Sequence, residues 1–275
     1  MKFPLKMQKE PFVRRCALPI TLRSEELGNG KGSRKAVLGL HGFAGYPGEL
    51  SLPASVLFKA GYSVFIPRLP GHGTNGEDFN STTQHDWIRR SVDAYEELKT
   101  EYDQVYVMGH SMGGILALLL AESFSVEKLV LFAPAVCISA KGVSLLPLIS
   151  CFRRRMPIKW EQDENVVFFD ERDSDDDQFL GKEYWSWMYL KRVRNLLQMR
   201  RNCIKNLKKL SASTLVITGG KDPSISESSG AWIGDRIQGV LRSVHLPEAG
   251  HLIPYDTHEE SRLKAMDEMI HWFDT

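Results

Sequence analysis

The sequence predicts an α/β fold in which helices flank a mostly parallel central sheet, with a mainly helical segment inserted between two of the strands. Short apolar runs alternate with segments of helical periodicity along most of the 275 residues. One interval, from about Val136 to Ser213, interrupts this alternation. It is too long for a structureless loop in a compact domain, so it predicts a folded insertion.

The predicted strands are short and rich in β-branched residues, and their apolar residues are nearly continuous rather than alternating. This pattern is typical of parallel strands that are buried on both faces of a sheet. The runs lie at 36–41, 62–67, 104–110, 128–133, 214–219 and 241–246.

Segments with helical periodicity separate these runs, which favours a doubly wound arrangement. They cover roughly 48–60, 85–100, 113–124 and 259–273. Ahead of the first run, the segments on either side of the glycine-rich turn 28–32 predict an antiparallel hairpin that leads into the sheet.

The second half of the inserted segment carries apolar residues three and four positions apart, with Lys and Arg between them, which predicts an amphipathic helix. The apolar positions are Trp185, Met188, Tyr189, Val193, Leu196, Leu197, Ile204 and Leu207. We therefore expect a core formed by residues 1–137 and 211–275 and a cap formed by residues 138–210.

Composition excludes several classes of protein. The chain is 43% hydrophobic and 25% charged, and its formal net charge of +1 gives no reason to expect nucleic acid or an anionic membrane as a partner. Four scattered cysteines without a CxxC pair predict reduced thiols rather than a disulfide framework or a zinc site. Without an N-terminal apolar signal or a membrane-spanning apolar run, the expected location is cytoplasmic.

The stretch GHSMGG at 109–114 interrupts a predicted strand and a predicted helix. Glycines two positions before and two positions after Ser111 predict a sharp turn that strains the serine backbone and exposes its hydroxyl. A phosphate-binding turn is the alternative for such a segment. The absence of a GxxxxGK[ST] or GxGxxG pattern disfavours it, so we interpret Ser111 as a nucleophile.

A serine hydroxyl needs a base to remove its proton and an acid to orient that base. With this kind of turn, the acid and then the histidine follow the serine in chain order. Asp222 follows the predicted strand 214–219, and His251 follows the strand 241–246. Loops at the carboxyl ends of parallel strands share one edge of the sheet, so we expect these side chains to meet.

Other residues compete for these roles. Glu248 and Asp256 are alternative acids that could instead shape the loop of His251, and Asp222 itself could be a turn residue before Pro223. Among the other histidines, strand alternation predicts that His110 points away from the serine. We expect His41 to be a buried, hydrogen-bonded residue and His72 to brace a loop.

An oxyanion hole needs two hydrogen-bond donors. The backbone N–H of Met112 is one candidate, because it begins the helix after Ser111. The second donor should come from the loop after the strand 36–41, where we choose the backbone N–H of Phe43. Gly42 and Gly45 in that loop are expected to allow unusual backbone angles.

Five separated motifs occur in the order found in one known family. With these motifs the sequence resembles the α/β-hydrolase superfamily, and it is most similar to the bacterial carboxylesterase and monoacylglycerol lipase branch. The motifs are LHGFAGYPGEL (40–50), GYSVFIPRLPGHG (61–73) with DW (86–87), GHSMGG (109–114), ITGGKDPSIS (217–226) and AGHLIPYD (249–256).

The resemblance implies ester hydrolysis with Ser111, Asp222 and His251 as a triad and the Phe43 and Met112 amides as the oxyanion hole. It implies no cofactor and no metal, a small-molecule ester with a hydrophobic acyl group as substrate, and a cap over the acyl pocket. The same scaffold supports thioesterase, amidase or C–C hydrolase chemistry, and a binding protein without catalysis is a further alternative. The aromatic and methionine residues of the cap could line the acyl pocket, but packing of the cap onto the core is favoured.

Overall fold

The computed structural model describes residues 12–27, 34–139, 153–162, 164, 166–167 and 174–275. Across these residues, seven strands form one sheet in the order β1-β3-β2-β4-β5-β8-β9, and two further strands pair as a ribbon. The pairs within the sheet are parallel except for the antiparallel pair β1 and β3. The predicted mostly parallel sheet with flanking helices is confirmed.

The strands of the sheet other than β1 agree closely with the six predicted runs. Their bounds are β1 Ile20–Leu22, β2 Lys35–Leu40, β3 Ser63–Ile66, β4 Gln104–His110, β5 Lys128–Phe132, β8 Ser213–Gly219 and β9 Leu241–Leu246. In β2, β4, β5 and β8 every residue after the first is buried, as expected for strands covered on both faces.

The helices are α1 Ser51–Lys59, α2 Gly76–Ser81, α3 Gln84–Glu101, α4 Met112–Ser123, α5 Ser174–Leu180, α6 Leu190–Asn206, α7 Ser229–Gly234 and α8 Glu259–Asp274. The four helical segments predicted between the strands are confirmed as α1, α3, α4 and α8, whereas α2, α5 and α7 were not predicted. A short 3₁₀ helix, Pro47–Leu50, precedes α1. The start of α3 is fixed by a capping box between Thr83 and Asp86.

Two apolar clusters cover the two faces of the sheet. Alternate strand residues divide between them, since Leu38 and Val107 belong to one cluster while Val37 and Met108 belong to the other. The first cluster is completed by α3, α4 and α6, and the second by α1 and α8. The helices therefore hold the sheet from both sides and leave the carboxyl ends of its strands free to carry the site.

The predicted N-terminal hairpin is wrong. Residues 28–32, the expected turn, lie outside the described residues, but β1 does not pair with β2. It pairs with β3, and Ile20 lies opposite Ile66. The strand that follows β1 in the chain is therefore not its neighbour in the sheet.

The described part of the inserted segment is not helical throughout. β6 Arg155–Pro157 and β7 Trp187–Tyr189 form an antiparallel ribbon, and a π-helical turn covers Gly181–Trp185. The predicted amphipathic helix is present as α6, but it begins at Leu190 rather than near Trp185. The boundaries 138–210 of the expected cap stay a prediction.

Three cysteines fall within the described residues, and all three are free thiols, as predicted: Cys16, Cys137 and Cys203. Cys151 lies outside the described residues. Among the helices that the structure describes, none has both the length and the apolar character needed to cross a bilayer.

His72 braces the loop after β3, as expected. Its Nδ1 donates to the carbonyl of Pro70 at 3.0 Å, and its ring packs against those of Phe79 and Trp87. Its Nε2 is buried without a hydrogen-bond partner in the described part of the chain. Burial lowers the pKa of His72 to about 3.

This burial predicts a pH-dependent stability. The unfolded chain binds a proton on this histidine below about pH 6.5 while the folded chain does not, so stability falls as pH falls through that window. We expect His72→Phe to reduce the slope of unfolding free energy against pH by about 1.4 kcal/mol per pH unit between about pH 6 and about pH 4. Urea unfolding across this range measures the slope, and an unchanged slope would contradict the assignment.

Candidate active site

The turn after β4 holds Ser111 in a strained conformation at the carboxyl end of the sheet. Ser111 has φ 53° and ψ −110°, a combination that residues other than glycine rarely adopt and that clusters at functional sites. Its N–H donates to the carbonyl of Phe132 at 2.9 Å, and its own carbonyl accepts from the amides of Gly114 and Ala135 at 3.1 Å each. These bonds fix the turn from both sides.

The two glycines that flank Ser111 are required by close backbone approach. A Cβ on Gly109 would lie 2.3 Å from the carbonyl oxygen of Gly113. A Cβ on Gly113 would lie 1.8 Å from the carbonyl oxygen of Leu40 in the neighbouring strand. A larger side chain at either position would collide with backbone atoms, so the sharp turn needs both glycines.

Asp222 and His251 meet at the same edge of the sheet. The Nδ1 of His251 lies 2.7 Å from the Oδ2 of Asp222, whose side chain is only 1% exposed. The other carboxylate oxygen accepts from the amides of Ser224 at 2.7 Å and Ile225 at 3.0 Å. Burial alone would raise the pKa of Asp222, but the bond and charge of His251 and the two amides lower it overall.

The two competing carboxylates bond elsewhere. Glu248 pairs with Lys221 at 2.6 Å on the surface. Asp256 accepts from the amide of Gly250 at 2.6 Å and so braces the loop beside His251. In the described residues, neither carboxylate is bonded to the imidazole of His251.

The loop after β2 presents the amide of Phe43 in a fixed orientation. This N–H belongs to the same peptide unit as the carbonyl of Gly42, which accepts from the amide of Gly45 at 3.2 Å and from Nδ1 of His41 at 3.1 Å. Because a peptide unit is planar, fixing the carbonyl also fixes the N–H. Among the described residues, no acceptor is bonded to the N–H of Phe43.

The amide of Met112 is the first of α4. The first amides of a helix have no acceptor within the helix, and the helix dipole favours negative charge beside them. Met112 directly follows Ser111, and Phe43 lines the same cavity as Ser111. Both amides thus stay candidates for the oxyanion hole.

The expected reason for the glycines in this loop is wrong. The positive φ falls on Ala44, at 57°, and neither Gly42 nor Gly45 has one. A Cβ on Gly45 would instead lie 2.0 Å from Oε1 of Glu49, and one on Gly42 would lie 3.1 Å from Oε2. The glycines make room for the carboxylate of Glu49, a residue that was not predicted from the sequence to lie at the site.

Two further histidines lie next to these loops. His41 is buried and accepts from the amide of Leu69 at Nε2, at 3.1 Å, which confirms the expectation of a hydrogen-bonded interior residue. The expectation that His110 points away from the serine is wrong. Its ring centroid lies 4.9 Å from that of His251, and it lines the same cavity as Ser111.

This cavity has a volume of about 280 Å³ and lies between the sheet edge and the inserted segment. From the sheet side it is lined by Gly42, Phe43, Ala44, Tyr46, Glu49, His110, Ser111, His251 and Leu252. From the inserted segment it is lined by Trp160, Glu161, Val166, Asp177 and Trp185. The candidate nucleophile, Ser111, and the candidate base, His251, thus line the same solvent-accessible cavity.

A second cavity, of about 240 Å³, adjoins the first and is strongly apolar. The two share Phe43, Ala44 and Trp185 as a common wall. The remaining lining residues are Phe79, Ile158, Trp187, Met188, Tyr189 and Val193. The aromatic residues of the inserted segment therefore both pack on the core and line open space.

Trp185 links the inserted segment to the loop after β2. Its indole N–H donates to the carbonyl of Ala44 at 2.9 Å. Trp185 ends the π-helical turn, a local irregularity that is frequent at functional sites. The backbone of the loop that carries Phe43 is thus supported from both the core and the inserted segment.

A strained serine at a strand-to-helix turn, with an Asp–His pair at the same sheet edge, defines a hydrolase-type arrangement on a parallel α/β sheet. A model of the alpha/beta hydrolase family matches residues 37–262. The chain belongs to this family.

Two curated relatives, both from Bacillus, are similar to this chain over different lengths. A thermostable monoacylglycerol lipase from Bacillus sp. (strain H-257) is 48% identical over 86 residues, which cover 31% of this chain and 34% of the lipase. The matched region therefore spans about a third of that lipase. A carboxylesterase from Bacillus subtilis (strain 168) is 26% identical over 228 residues, covering 82% of this chain and 88% of the esterase.

A solved structure from a study of two metagenome-derived lipolytic enzymes has the same fold. It superposes with a TM-score of 0.78 at 23% identity and covers 94% of this chain and 99% of its own.

Proposed function

We propose that this protein hydrolyses carboxylic esters through an acyl-enzyme on Ser111. The observation that carries the proposal is the convergence at one cavity of a strained serine and a histidine whose Nδ1 is bonded to a buried carboxylate. Because Asp222 accepts at Nδ1, that nitrogen carries the proton and Nε2 is free to act as a base.

In the first half of the reaction, Nε2 of His251 takes the proton of the Ser111 hydroxyl while the serine oxygen attacks the ester carbonyl. The amides of Phe43 and Met112 donate to the carbonyl oxygen as it becomes negative. The bond to the alcohol oxygen then breaks, and His251 gives its proton to the departing alcohol. Asp222 stabilises the charged imidazole and keeps its orientation.

In the second half, water takes the place of the alcohol. His251 removes a proton from the water as its oxygen attacks the acyl carbon. The bond between the acyl carbon and the Ser111 oxygen breaks, the serine regains a proton from His251, and the carboxylic acid leaves. No step in this sequence requires a cofactor.

The substrate that we propose has a hydrophobic acyl group and an uncharged alcohol. The apolar cavity behind Phe43 and Trp185 suits an acyl chain, because burial of apolar surface drives its binding. The carboxylates of Glu161 and Asp177 line the cavity of Ser111 and disfavour an anionic leaving group. The names of the two Bacillus relatives, a monoacylglycerol lipase and a carboxylesterase, agree with this class.

Residues 138–210 are proposed to act as the cap over this substrate. The described residues of the segment supply one wall of both cavities. A backbone pairing between Val166 and Asp256 also joins the segment to the loop that follows His251. The cap would thereby shield the acyl-enzyme from bulk water.

The purified protein is expected to release p-nitrophenol from short and medium p-nitrophenyl esters and fatty acid from monoacylglycerols. The chain length at which kcat/KM is highest reports the size of the apolar cavity. The matched thioester and anilide of the same acyl group serve as controls. No ester turnover, or a clear preference for the thioester or the anilide, would contradict the proposal.

A further inference from the structure

The carboxylate of Glu49 connects two of the loops that form the active site. Glu49 lies in the 3₁₀ helix Pro47–Leu50, and its Oε2 accepts from the amide of Gly42 at 2.9 Å. The same oxygen lies 3.1 Å from Nδ1 of His110, the last residue of β4. The loop of Phe43 and the turn of Ser111 therefore share one buried carboxylate.

His110 extends this connection to the third loop. Its Nε2 lies 3.1 Å from the carbonyl oxygen of His251, and the two rings are in contact. His110 is only 3% exposed, so water does not compete for these contacts. One chain of hydrogen bonds thus runs from Gly42 through Glu49 and His110 to His251.

The neighbours of His110 determine its protonation. A carboxylate oxygen and a carbonyl oxygen face its two nitrogens, and both only accept, so both nitrogens must donate. The same reasoning assigns the opposite protonation state to His41. Its Nε2 faces the N–H of Leu69, which can only donate, so His41 is neutral.

The pKa directions agree with these assignments. Burial alone would lower the pKa of His110, but the bond and charge of Glu49 and the carbonyl of His251 raise it overall. Burial alone would raise the pKa of Glu49, but the bond and charge of His110 lower it to about 2. Burial lowers the pKa of His41 to about 4.

We propose that Glu49 and His110 form a buried carboxylate–imidazolium pair that positions the oxyanion loop, the Ser111 turn and the His251 loop relative to one another. The inference rests on the proposed ester hydrolysis and assigns both residues as positioning residues. Phe43 follows Gly42, Ser111 follows His110, and His251 is held through its own carbonyl. The pair therefore acts one residue away from two candidate catalytic groups and directly on the backbone of the third.

Glu49→Gln tests the charge of this residue alone, because a glutamine side chain has nearly the same shape as a glutamate side chain. An amide oxygen in the place of Oε2 still accepts from Gly42 and His110. Because the amide is neutral, however, the buried imidazolium no longer has a negative charge beside it. If His110 then loses its proton, one of its ring nitrogens carries a lone pair. That lone pair faces an oxygen, either the side-chain amide oxygen that replaces Oε2 or the carbonyl oxygen of His251. The variant therefore removes the pair while keeping the packing.

The protonation state is measured in the wild-type protein by long-range ¹H–¹⁵N correlation of the histidine rings at neutral pH. We expect one histidine with both nitrogens protonated, identified as His110 by its absence in His110→Asn. The titratable groups that act on its ring are Glu49, Asp222, His41 and His251. In Glu49→Gln this signal should become that of a neutral ring. A neutral His110 in the wild-type protein would overturn the proposal.

Kinetics with a p-nitrophenyl ester test the positioning role. We expect Glu49→Gln to lower kcat by about 100-fold, the effect of misplacing reacting groups by about 1 Å. KM should change by less than about threefold, because neither residue is needed to hold the acyl chain. Since the pair acts as a unit, Glu49→Gln combined with His110→Asn should cost no more than the worse single variant. If the fold-losses in kcat of the two single variants instead multiply in the double variant, the result would contradict the proposal that Glu49 and His110 act as a pair.

Tyr62→Phe is the matched control. It removes a hydrogen bond to Asp274, 2.8 Å long, at the other end of the sheet, and it should leave kcat unchanged. A similar loss of kcat in this control would show a general structural effect and count against positioning. An inactive wild-type protein with a charged His110 would contradict the ester reaction but not the ion pair.

Discussion

Replacement of Ser111 by alanine is expected to lower kcat for p-nitrophenyl esters by on the order of 10⁴- to 10⁶-fold. The variant loses the only group proposed to form the acyl-enzyme, while the backbone turn that holds it stays bonded to Phe132, Gly114 and Ala135. Steady-state kinetics and a melting curve measure the two effects. The melting temperature should not fall, because the hydrogen bonds that hold the turn are made by the backbone of residue 111 and not by the serine hydroxyl.

Ser81→Ala is the control for this experiment. Ser81 is a solvent-exposed serine whose hydroxyl, within the described part of the chain, bonds only to the carbonyl of Asp78. Its loss should leave kcat unchanged. Full activity in Ser111→Ala would contradict the proposed mechanism, whatever the stability of the variant.

Asp222→Asn is expected to lower kcat by on the order of 10⁴-fold. The amides of Ser224 and Ile225 hold one oxygen of the side chain, so the asparagine oxygen should stay with them. Its NH₂ group then faces Nδ1 of His251 and donates to it. The proton of the imidazole moves to Nε2, where it prevents the ring from accepting the proton of Ser111.

The same steady-state measurement tests this variant, with KM expected to change little. Asp103→Asn serves as the control, because Asp103 is an exposed acid that pairs with Arg34 far from the cavity. A loss of less than about tenfold in Asp222→Asn would show that another group orients His251. Asp256, which already bonds to Gly250, would then be the next residue to change.

Most of the sheet could be predicted from the sequence, because its inner strands β2, β4, β5 and β8 are buried on both faces and appear as continuous apolar runs. The run at 104–110 matches β4 without a shift, and the run at 241–246 matches the half-exposed edge strand β9. The partner of β1 could not be predicted. Its pairing with β3 depends on contacts between Ile20 and Ile66 that no local pattern encodes.

The inserted segment was predicted less well for a related reason. Met188 and Tyr189 have helical spacing with the residues after them, yet they lie in β7, which pairs with Arg155–Pro157. The periodicity is accounted for by α6, which begins one residue later, at Leu190. Tertiary pairing here overrides a pattern that spacing alone assigns to a helix.

Chain order was enough to propose Ser111, Asp222 and His251, since the ends of parallel strands converge at one edge. It was not enough to find Glu49 and His110, which are 61 positions apart and meet only in the folded chain. The signal that could have found Glu49 was the pair Gly42 and Gly45. Both leave room for a side chain rather than adopting a positive φ.

Covalent labelling at Ser111 tests the central claim most directly. The folded protein is mixed with a fluorophosphonate, which reacts with serines activated by a base, and its intact mass and tryptic peptides are then measured. We expect one adduct per chain, located on the peptide that contains Ser111, and none in Ser111→Ala. A folded wild-type protein that gains no mass, or that carries the adduct on another residue, would contradict the proposed nucleophile.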